Sequence, residues 1–206
     1  MTSTAVTSKG AATRAFLLQT AAEVFAERGY TETRMSELIA RSGLTKGAFY
    51  FHFTSKEQLA LAVIAKKQQQ TVERIQAAIE DGHRAIDQLR QVAVALVQAH
   101  RDDPSTFSVS RLTRDLARLP DINDLVQEHS RAWVNMLAGV IANAQTEGDL
   151  PRSIEAADLA VLLVAATDGL KDLGALIDSP NQEARAFERR MQGLVTLVDA
   201  LATTKR

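Results

Sequence analysis

Helix-breaking and strand-forming patterns are scarce in this 206-residue chain, and that scarcity constrains the fold more than any other feature. The only prolines, at positions 104, 120, 151 and 180, separate long segments rich in Ala, Leu, Gln, Glu and Arg. Such segments favour helix, and none of useful length shows the alternating β-branched pattern of a strand. The sequence therefore predicts an all-α protein. The expected helices cover about 11–28, 34–41, 45–52, 56–81, 84–101, 105–117, 121–147, 153–177 and 181–202.

Composition and histidine placement leave no candidate for catalysis, metal binding or cofactor binding. The absence of cysteine excludes a disulfide framework, a thiolate zinc site and a cysteine nucleophile. The sequence contains no Ser, His and Asp set and no glycine-rich phosphate loop, and its histidines are scattered away from carboxylate pairs at metal-ligand spacing. We expect no enzyme activity, no metal and no cofactor.

The N-terminus and the apolar segments indicate a soluble chain. No apolar run reaches about 20 residues, the length that spans a bilayer. The first segment, "MTSTAVTSKGAATR", lacks the apolar centre of a signal peptide. We therefore expect a cytoplasmic protein with no membrane partner, in which residues 1–10 form a disordered arm.

Charge is distributed unevenly along the chain, although its net value is only -1. Residues 1–67 carry nine Lys and Arg against five Glu, a net charge of +4, whereas residues 68–206 carry a net charge of -5. A basic N-terminal third beside an acidic remainder suggests that one end of the protein binds a polyanion. A random fluctuation of surface charge is the alternative on this evidence alone.

The N-terminal third has the pattern of three helices joined by glycine turns. The apolar face of the first helix consists of Phe16, Leu17, Ala21, Val24 and Phe25. Gly29 is placed to end that helix in the left-handed conformation, and Thr33 is placed to cap the second. Gly43 then ends the second helix, and Thr45 caps the third. Two short helices joined by a tight glycine turn and braced by a longer helix are the layout of a helix-turn-helix DNA-binding domain.

The third helix, in "LTKGAFYFHFTSKEQL", has the composition of a surface that contacts duplex DNA. Lys46 stands at its N-terminus, the end that such helices insert into the major groove, and can donate to guanine O6 and N7. Thr45 can donate to a phosphate or a base edge, Gly47 lets the backbone come close, and Ala48 offers its methyl group to thymine. The core half of this helix consists of Phe49 and Phe53.

Three further polar side chains follow in the same stretch. Tyr50 and His52 suit hydrogen bonds to phosphate oxygens, with packing in a small three-helix core as the alternative. Lys56 can also meet a phosphate, because the capping box of Ser55 with Gln58 starts a new helix there, with free amides and a positive dipole end. The stretch therefore predicts a DNA interface with Lys46 as the main base contact.

The segment "MSELIARSGLTKGAFYFHFTSKEQL" resembles the N-terminal DNA-binding domain of the tetracycline-repressor (TetR) family of bacterial one-component regulators. The resemblance runs from about Arg14 to Ile64 and rests on "FAERGY", "GLTKG", "YFHF" and "SKEQL", in the order and spacing of the family. It implies DNA contacts at the positions named above, and backbone contacts by Thr33 and Ser36 at the start of the supporting helix. The motif "KGAFYFHF" is also similar to the γ-butyrolactone-receptor branch.

The last two segments have apolar faces that suit assembly. Residues 157–170, "ADLAVLLVAATDGL", are apolar almost all round, which a helix tolerates only when it is covered on several sides. The last helix has an apolar stripe of Ala184, Phe187, Met191, Leu194, Val195, Val198 and Leu201. Both suit a four-helix homodimer interface, which is also where the resemblance places it. Packing of both stripes within their own domain is the alternative.

A receptor pocket is expected in the C-terminal region. The segment "QEHSRAWVNMLAGVI" has an apolar face around Trp133 that suits a flat or apolar effector, with a plain core tryptophan as the alternative. The γ-butyrolactone receptors place a tryptophan in their ligand cavity on the corresponding helix, which implies a lactone-like effector. The candidate ligand-binding residues are Phe107, Arg111, Trp133, Met136, Leu137, Val140 and Asp168.

These patterns predict a ligand-responsive bacterial transcriptional repressor. Its parts are the arm at 1–10, a helix-turn-helix domain at 11–55, and a ligand-binding and dimerisation domain at 56–206. It would bind palindromic operator DNA as a homodimer and be released by a small-molecule effector. The alternative is a helical small-molecule-binding protein or enzyme that keeps the N-terminal bundle as a scaffold. Retention on random duplex DNA with steep salt dependence would favour the repressor.

Overall fold

A computed structural model describes residues 3–78, 83–119, 122–179 and 181–203, and those ranges contain helices and turns but no strand. The all-α prediction is therefore confirmed. The α-helices are α1 (Ser3–Glu32), α2 (Met35–Ser42), α3 (Lys46–His52), α4 (Lys56–Ala78), α5 (Ala85–Asp102), α6 (Ser108–Leu116), α7 (Asn123–Thr146), α8 (Ala156–Ile177) and α9 (Glu183–Thr203), with a short 3₁₀ helix at Pro104–Phe107.

Helix α1 departs from its expected course at both ends. Residues 3–10, expected to be disordered, continue the helix, and they contain no proline that would interrupt it. Residues 1 and 2 lie outside the described residues. At the other end, Gly29 has the positive φ that its position predicts, but its ψ of 172° is extended, so the chain kinks there without adopting a left-handed helical turn.

The turn between α2 and α3 follows the sequence signals closely. Gly43 ends α2 in the left-handed conformation (φ 66°, ψ 6°), and the Thr45 hydroxyl oxygen accepts a hydrogen bond from the Ala48 N–H at 3.2 Å. Thr33, however, does not cap α2. Arg34 is the N-cap residue, and the Thr33 hydroxyl donates instead to the Gly29 carbonyl, four residues earlier, at 2.7 Å.

The chain divides into two compact units that are interleaved in sequence. The first comprises Met1–Gln69 and Ser105–Asn123, and the second comprises Gln70–Pro104 and Asp124–Arg206. This division differs from the expected boundary at residues 55 and 56, since the first part of α4 and all of α6 belong to the first unit. The reason is that α6 packs against α1.

The core of the first unit is built from α1, α2, α3, α4 and α6. Its fully buried large side chains include Leu17, Phe25, Leu38, Phe49, Phe53, Leu59, Leu112 and Leu116. Phe16, expected on the buried face of α1, is instead 51% exposed, because it flanks the stripe that begins at Leu17.

Among its described residues, the second unit contains two separate apolar clusters. The larger one has buried members on α5, α7, α8 and α9, and these include Ile86, Leu89, Leu137, Ile141, Leu159 and Val198. In the smaller one, Trp133 and Met136 of α7 pack against Ile75, Val92 and Ala95. The predicted apolar face of α7 is thus divided between two environments.

The apolar stripe of α9 contributes to the core of its own unit. Phe187, Met191 and Val198 are buried within the single chain, whereas Ala184 is exposed. This part of the stripe packs within its own unit, as the alternative interpretation of the sequence allows, whereas Leu194 and Val195 remain partly exposed. Helix α8 differs, since Leu159 and Ala160 are buried while another side of the helix remains exposed.

Two polar groups of the second unit carry specific structural roles. The backbone N–H of Ala85, at the start of α5, donates to the Glu147 carboxylate at 2.9 Å, so a side chain 62 positions later caps this helix. His100, near the end of α5, is only 5% exposed and stands edge-on to the Phe187 ring. Burial, with the nearby Lys171 charge, lowers the pKa of His100 from 6.5 to about 4.

Candidate nucleic-acid interface

Helix α3 presents one buried face and one exposed face. Phe49 and Phe53 are both buried, and they anchor the helix in the core of the first unit as the sequence predicts. Opposite them, the N-terminal residues 45–48 are all exposed, and Tyr50 continues the same surface. We call residues 45–48 with Tyr50 the recognition face.

Lys46 and Tyr50 are held side by side on the recognition face. The Lys46 ammonium lies 6.0 Å from the centroid of the Tyr50 ring, and the Tyr50 ring meets the Phe49 ring nearly edge-on at 6.4 Å. Phe49 is buried, so this contact lies on the inner side of the Tyr50 ring. An exposed cation–π contact at this distance is weak, so the Lys46 ammonium remains available to an anionic or hydrogen-bonding partner.

Gly47 has no structural reason to be glycine within the fold. A Cβ atom built at this position meets nothing within 4 Å, and its φ is not positive. Glycine in a helix costs up to about 1 kcal/mol relative to alanine. The residue therefore leaves open space at the surface where the backbone could approach a large partner closely.

Phe51 is the feature of this helix that the sequence analysis missed. Its side chain is 85% exposed, and its ring meets the His52 ring edge-on at 5.2 Å. Helical spacing gives the signal that was available, because a residue two positions from Phe49 and two from Phe53 points away from the face they share. The predicted DNA contact His52 is partly buried beside it.

Lys56 holds together the corner between α1, α2 and α4. Its ammonium donates to the carbonyl oxygens of Tyr30 and Thr33, each at 2.9 Å, and lies 4.1 Å from the centroid of the Tyr30 ring. Of its three N–H groups, at most one is left for the phosphate contact that the sequence predicts. In this structure Lys56 joins the start of α4 to the end of α1 and the segment before α2.

A tyrosine–carboxylate pair completes the corner. The Tyr30 hydroxyl donates to the Glu57 carboxylate at 2.7 Å. Burial and this hydrogen bond raise the pKa of Tyr30, and the same hydrogen bond holds the pKa of Glu57 below its usual value. Tyr30 therefore stays neutral and Glu57 stays ionised around neutral pH, which preserves the pair.

The two residues assigned to the supporting helix by family resemblance differ in accessibility. Ser36 is exposed at the start of α2, which keeps a contact with a DNA backbone feasible. Thr33 is 1% exposed and its hydroxyl donates to Gly29, so the Thr33 side chain is inaccessible to DNA. The backbone contact implied for Thr33 is therefore wrong as far as its side chain is concerned.

Comparison with known proteins identifies the chain. Residues 17–63 match the profile of "Bacterial regulatory proteins, tetR family", and residues 116–189 match that of "Tetracyclin repressor-like, C-terminal domain". The chain belongs to the TetR family. The first match contains α2, α3 and the Lys56 corner, and the second contains α7 and α8.

Whole-chain relatives support the same assignment. The transcriptional regulator UidR of Escherichia coli is 25% identical over 191 residues, which are 93% of each chain. A solved structure from work on the molecular basis for control of antibiotic production by bacterial hormones is 31% identical, with a TM-score of 0.71 over 90% of this chain and 95% of that one. A γ-butyrolactone receptor (ArpA-like protein) is similar in fold, with 23% identity and a TM-score of 0.65 over 90% and 99% of the two chains.

This TetR-family chain is thus a transcriptional regulator. Regulators of the family bind operator DNA, act as dimers and are typically ligand-responsive repressors. None of the described helices is long and apolar enough to span a membrane. Within the described ranges, no three His, Cys, Asp or Glu side chains lie together as a metal site would require.

The structure does not gather all the candidate ligand-binding residues in one place. Trp133 and Met136 share the smaller apolar cluster, while Leu137 and Val140 pack in the larger core. Three further candidates have other settings: Asp168 pairs with Lys171 at 3.1 Å, Arg111 belongs to the first unit with its guanidinium beside Gly29, and the Phe107 side chain lies outside what the structure describes.

Proposed function

We propose that this TetR-family regulator is a cytoplasmic repressor whose recognition face enters the major groove of its operator. The observation that carries the proposal is the combination, on α3, of an exposed lysine at the N-terminus with a glycine that the fold does not require. Lys46 would donate to a guanine edge, and Gly47 would let the backbone of α3 approach the duplex. Tyr50 would donate its hydroxyl to a phosphate.

Removal of the Lys46 ammonium tests this role. A duplex that the wild-type protein selects from a random 30-bp pool serves as the probe. We expect Lys46→Ala to lose about 5- to 150-fold in affinity for that duplex and to bind single-base variants of it almost equally. Arg131→Ala, which removes an exposed positive charge from the second unit, is the matched control. If both variants keep wild-type base preference, Lys46 is not the base contact.

The dimer interface is proposed on the exposed side of α8 together with one residue of α9. Its large apolar side chains, all at least half exposed in the single chain, are Val161, Leu162, Leu173, Leu176, Ile177 and Leu197. Several large exposed apolar side chains on neighbouring helices are typical of a protein–protein contact, and two-fold pairing would cover them on both copies.

Two charge substitutions separate this interface from the core of the second unit. Leu176→Glu places a carboxylate on an exposed position, so we expect monomers with wild-type helix content. Val198→Glu places it in the larger cluster, so we expect unfolding or aggregation. Light scattering with circular dichroism measures both. A Leu176→Glu protein that remains a dimer would place the interface elsewhere.

The effector pocket is proposed beside Trp133 and Met136, against α4 and α5. The apolar partners of these two residues suit an apolar or lactone-like effector, and the hormone-related structure at 31% identity supports that class. Trp133 is the only tryptophan of the chain, so its emission reports on this cluster alone. We expect a γ-butyrolactone to change the emission and to release the selected duplex. If Trp133→Ala and Trp133→Phe proteins release the duplex at wild-type lactone concentration, the pocket lies elsewhere.

A further inference from the structure

Phe51 is the most exposed of the large apolar side chains that the structure describes as exposed. Phenylalanine is normally placed where its ring leaves water, because burial of the ring is favourable. Nothing in the folded first unit supplies that burial. With 85% of its side chain exposed, the ring is accessible to a partner outside the chain.

The fold itself holds Phe51 outward. Phe49 and Phe53 fill the core side of α3, so the ring between them cannot turn inward without displacing buried neighbours. Its edge-on contact with the His52 ring limits its freedom on the outer surface. The ring is thus presented in a defined direction, next to Tyr50 and on the same short helix as Lys46.

Duplex DNA is the occupant that fits this position. Phe51 directly follows Tyr50 in α3, which is only seven residues long, so a duplex that contacts Lys46 and Tyr50 also passes close to Phe51. A phenyl ring can neither donate nor accept a conventional hydrogen bond. Its possible partners on DNA are therefore the C–H groups of deoxyribose and the methyl group of thymine, both of which are apolar.

We infer that Phe51 packs against the apolar C–H surface of the operator duplex and supplies a part of the affinity that salt does not screen. The inference rests on the proposed function, because it requires the recognition face to contact DNA. Phosphate contacts give an affinity that falls with the logarithm of salt concentration, in proportion to their number. An apolar contact lowers the dissociation constant by the same factor at every salt concentration.

Salt titration of a Phe51→Ala variant tests the inference, with the duplex selected by the wild-type protein as the probe. We expect the variant to lose about tenfold in affinity at each salt concentration and to keep the wild-type salt slope, whereas a variant lacking a phosphate contact loses about one unit of slope. Phe16→Ala, which removes a half-exposed ring from α1 of the same unit, is the matched control and should bind as the wild type does. Thermal unfolding of both variants should match that of the wild type.

Uracil substitution distinguishes the two apolar surfaces of DNA. If the ring contacts a thymine methyl, replacement of one particular thymine by uracil should weaken wild-type binding, and Phe51→Ala should be insensitive to it. If the ring contacts deoxyribose, no such substitution matters, and Phe51→Ala loses equally on selected and random duplexes. Both results support the inference.

Three results would overturn it: unchanged affinity of Phe51→Ala, a change in salt slope, or a lowered unfolding temperature that accounts for the loss. Failure of the wild-type protein to select any duplex would instead refute the proposed function. The two failures are therefore distinguishable.

Discussion

Replacement of Lys56 by methionine distinguishes two roles of this lysine: stabilising the corner between α1, α2 and α4, and binding a DNA phosphate. Methionine keeps an unbranched apolar stem and can still pack its sulfur on the Tyr30 ring, but it removes the two hydrogen bonds to the carbonyls of Tyr30 and Thr33. Lys46→Met is the matched control. It removes the same charge from an exposed position of the same unit.

The expected loss of stability follows from the two hydrogen bonds. Hydrogen bonds to a charged group contribute roughly 1.5 to 3 kcal/mol each, and an exposed cation–π contact adds about 0.5 to 1 kcal/mol. Lys56 is only partly buried, so water can replace part of these contacts. We therefore expect Lys56→Met to lower the free energy of unfolding by about 2 to 3 kcal/mol, and Lys46→Met to leave it within about 0.5 kcal/mol.

Urea unfolding followed by circular dichroism measures stability, and salt titration of binding to the selected duplex measures phosphate contacts. We expect Lys56→Met to be less stable but to keep the wild-type salt slope. Lys46→Met should keep its stability and lose affinity. A Lys56→Met protein with wild-type stability and a salt slope reduced by about one unit would show that Lys56 binds phosphate. It would also show that the hydrogen bonds of Lys56 to the Tyr30 and Thr33 carbonyls do not stabilise the fold.

Four other substitutions probe glycine geometry and a buried imidazole. Gly47→Ala should unfold at slightly higher urea concentration, by up to about 1 kcal/mol, yet bind the selected duplex at least about tenfold more weakly; equal binding would argue against close backbone approach. Gly29→Ala should lower the free energy of unfolding by about 2 to 3 kcal/mol, because φ 77° with ψ 172° is a region that glycine alone occupies readily. Gly43→Ala should lower it by only about 1 kcal/mol, because Gly43 is in a left-handed turn that other residues can also adopt. The folded-state pKa of His100, about 4, lies below its unfolded value of 6.5, so its contribution to stability is present above pH 6.5 and is lost as the pH falls towards 4. His100→Gln should flatten that part of the stability curve, and an unchanged curve would mean that His100 is not the titrating group.

Local signals in the sequence sufficed for the helices and for most of the recognition face. Gly43 and Thr45 act through neighbours a few residues away, so their roles as helix stop and cap could be predicted and are confirmed. The same holds for the exposed and buried faces of α3, apart from Phe51. These features depend on helix geometry, which the order of residues alone determines.

Features that depend on distant residues could not be predicted. The segment around Lys56 alone predicts a phosphate contact. Its hydrogen-bond partners Tyr30 and Thr33 lie 26 and 23 residues earlier, so the local segment gives no sign of them. The apolar stripe of α9 looks the same in sequence whether it faces a second copy or its own core, and only the folded chain shows that Val198 packs in the core. The apolar residues of α7 near Trp133 likewise divide between two clusters, because the residues they pack against lie far away in the sequence.

During synthesis on the ribosome, helix α5 is made well before the Glu147 carboxylate that caps it. The helix has no side-chain cap of its own at Arg84, and the group that accepts from its first amide is translated 62 residues later. At about 5 to 20 residues per second, several seconds pass before this acceptor leaves the ribosome. Through that interval the start of α5 has only water to satisfy its amides, so a nascent chain paused before residue 147 should expose this segment to chaperones and proteases.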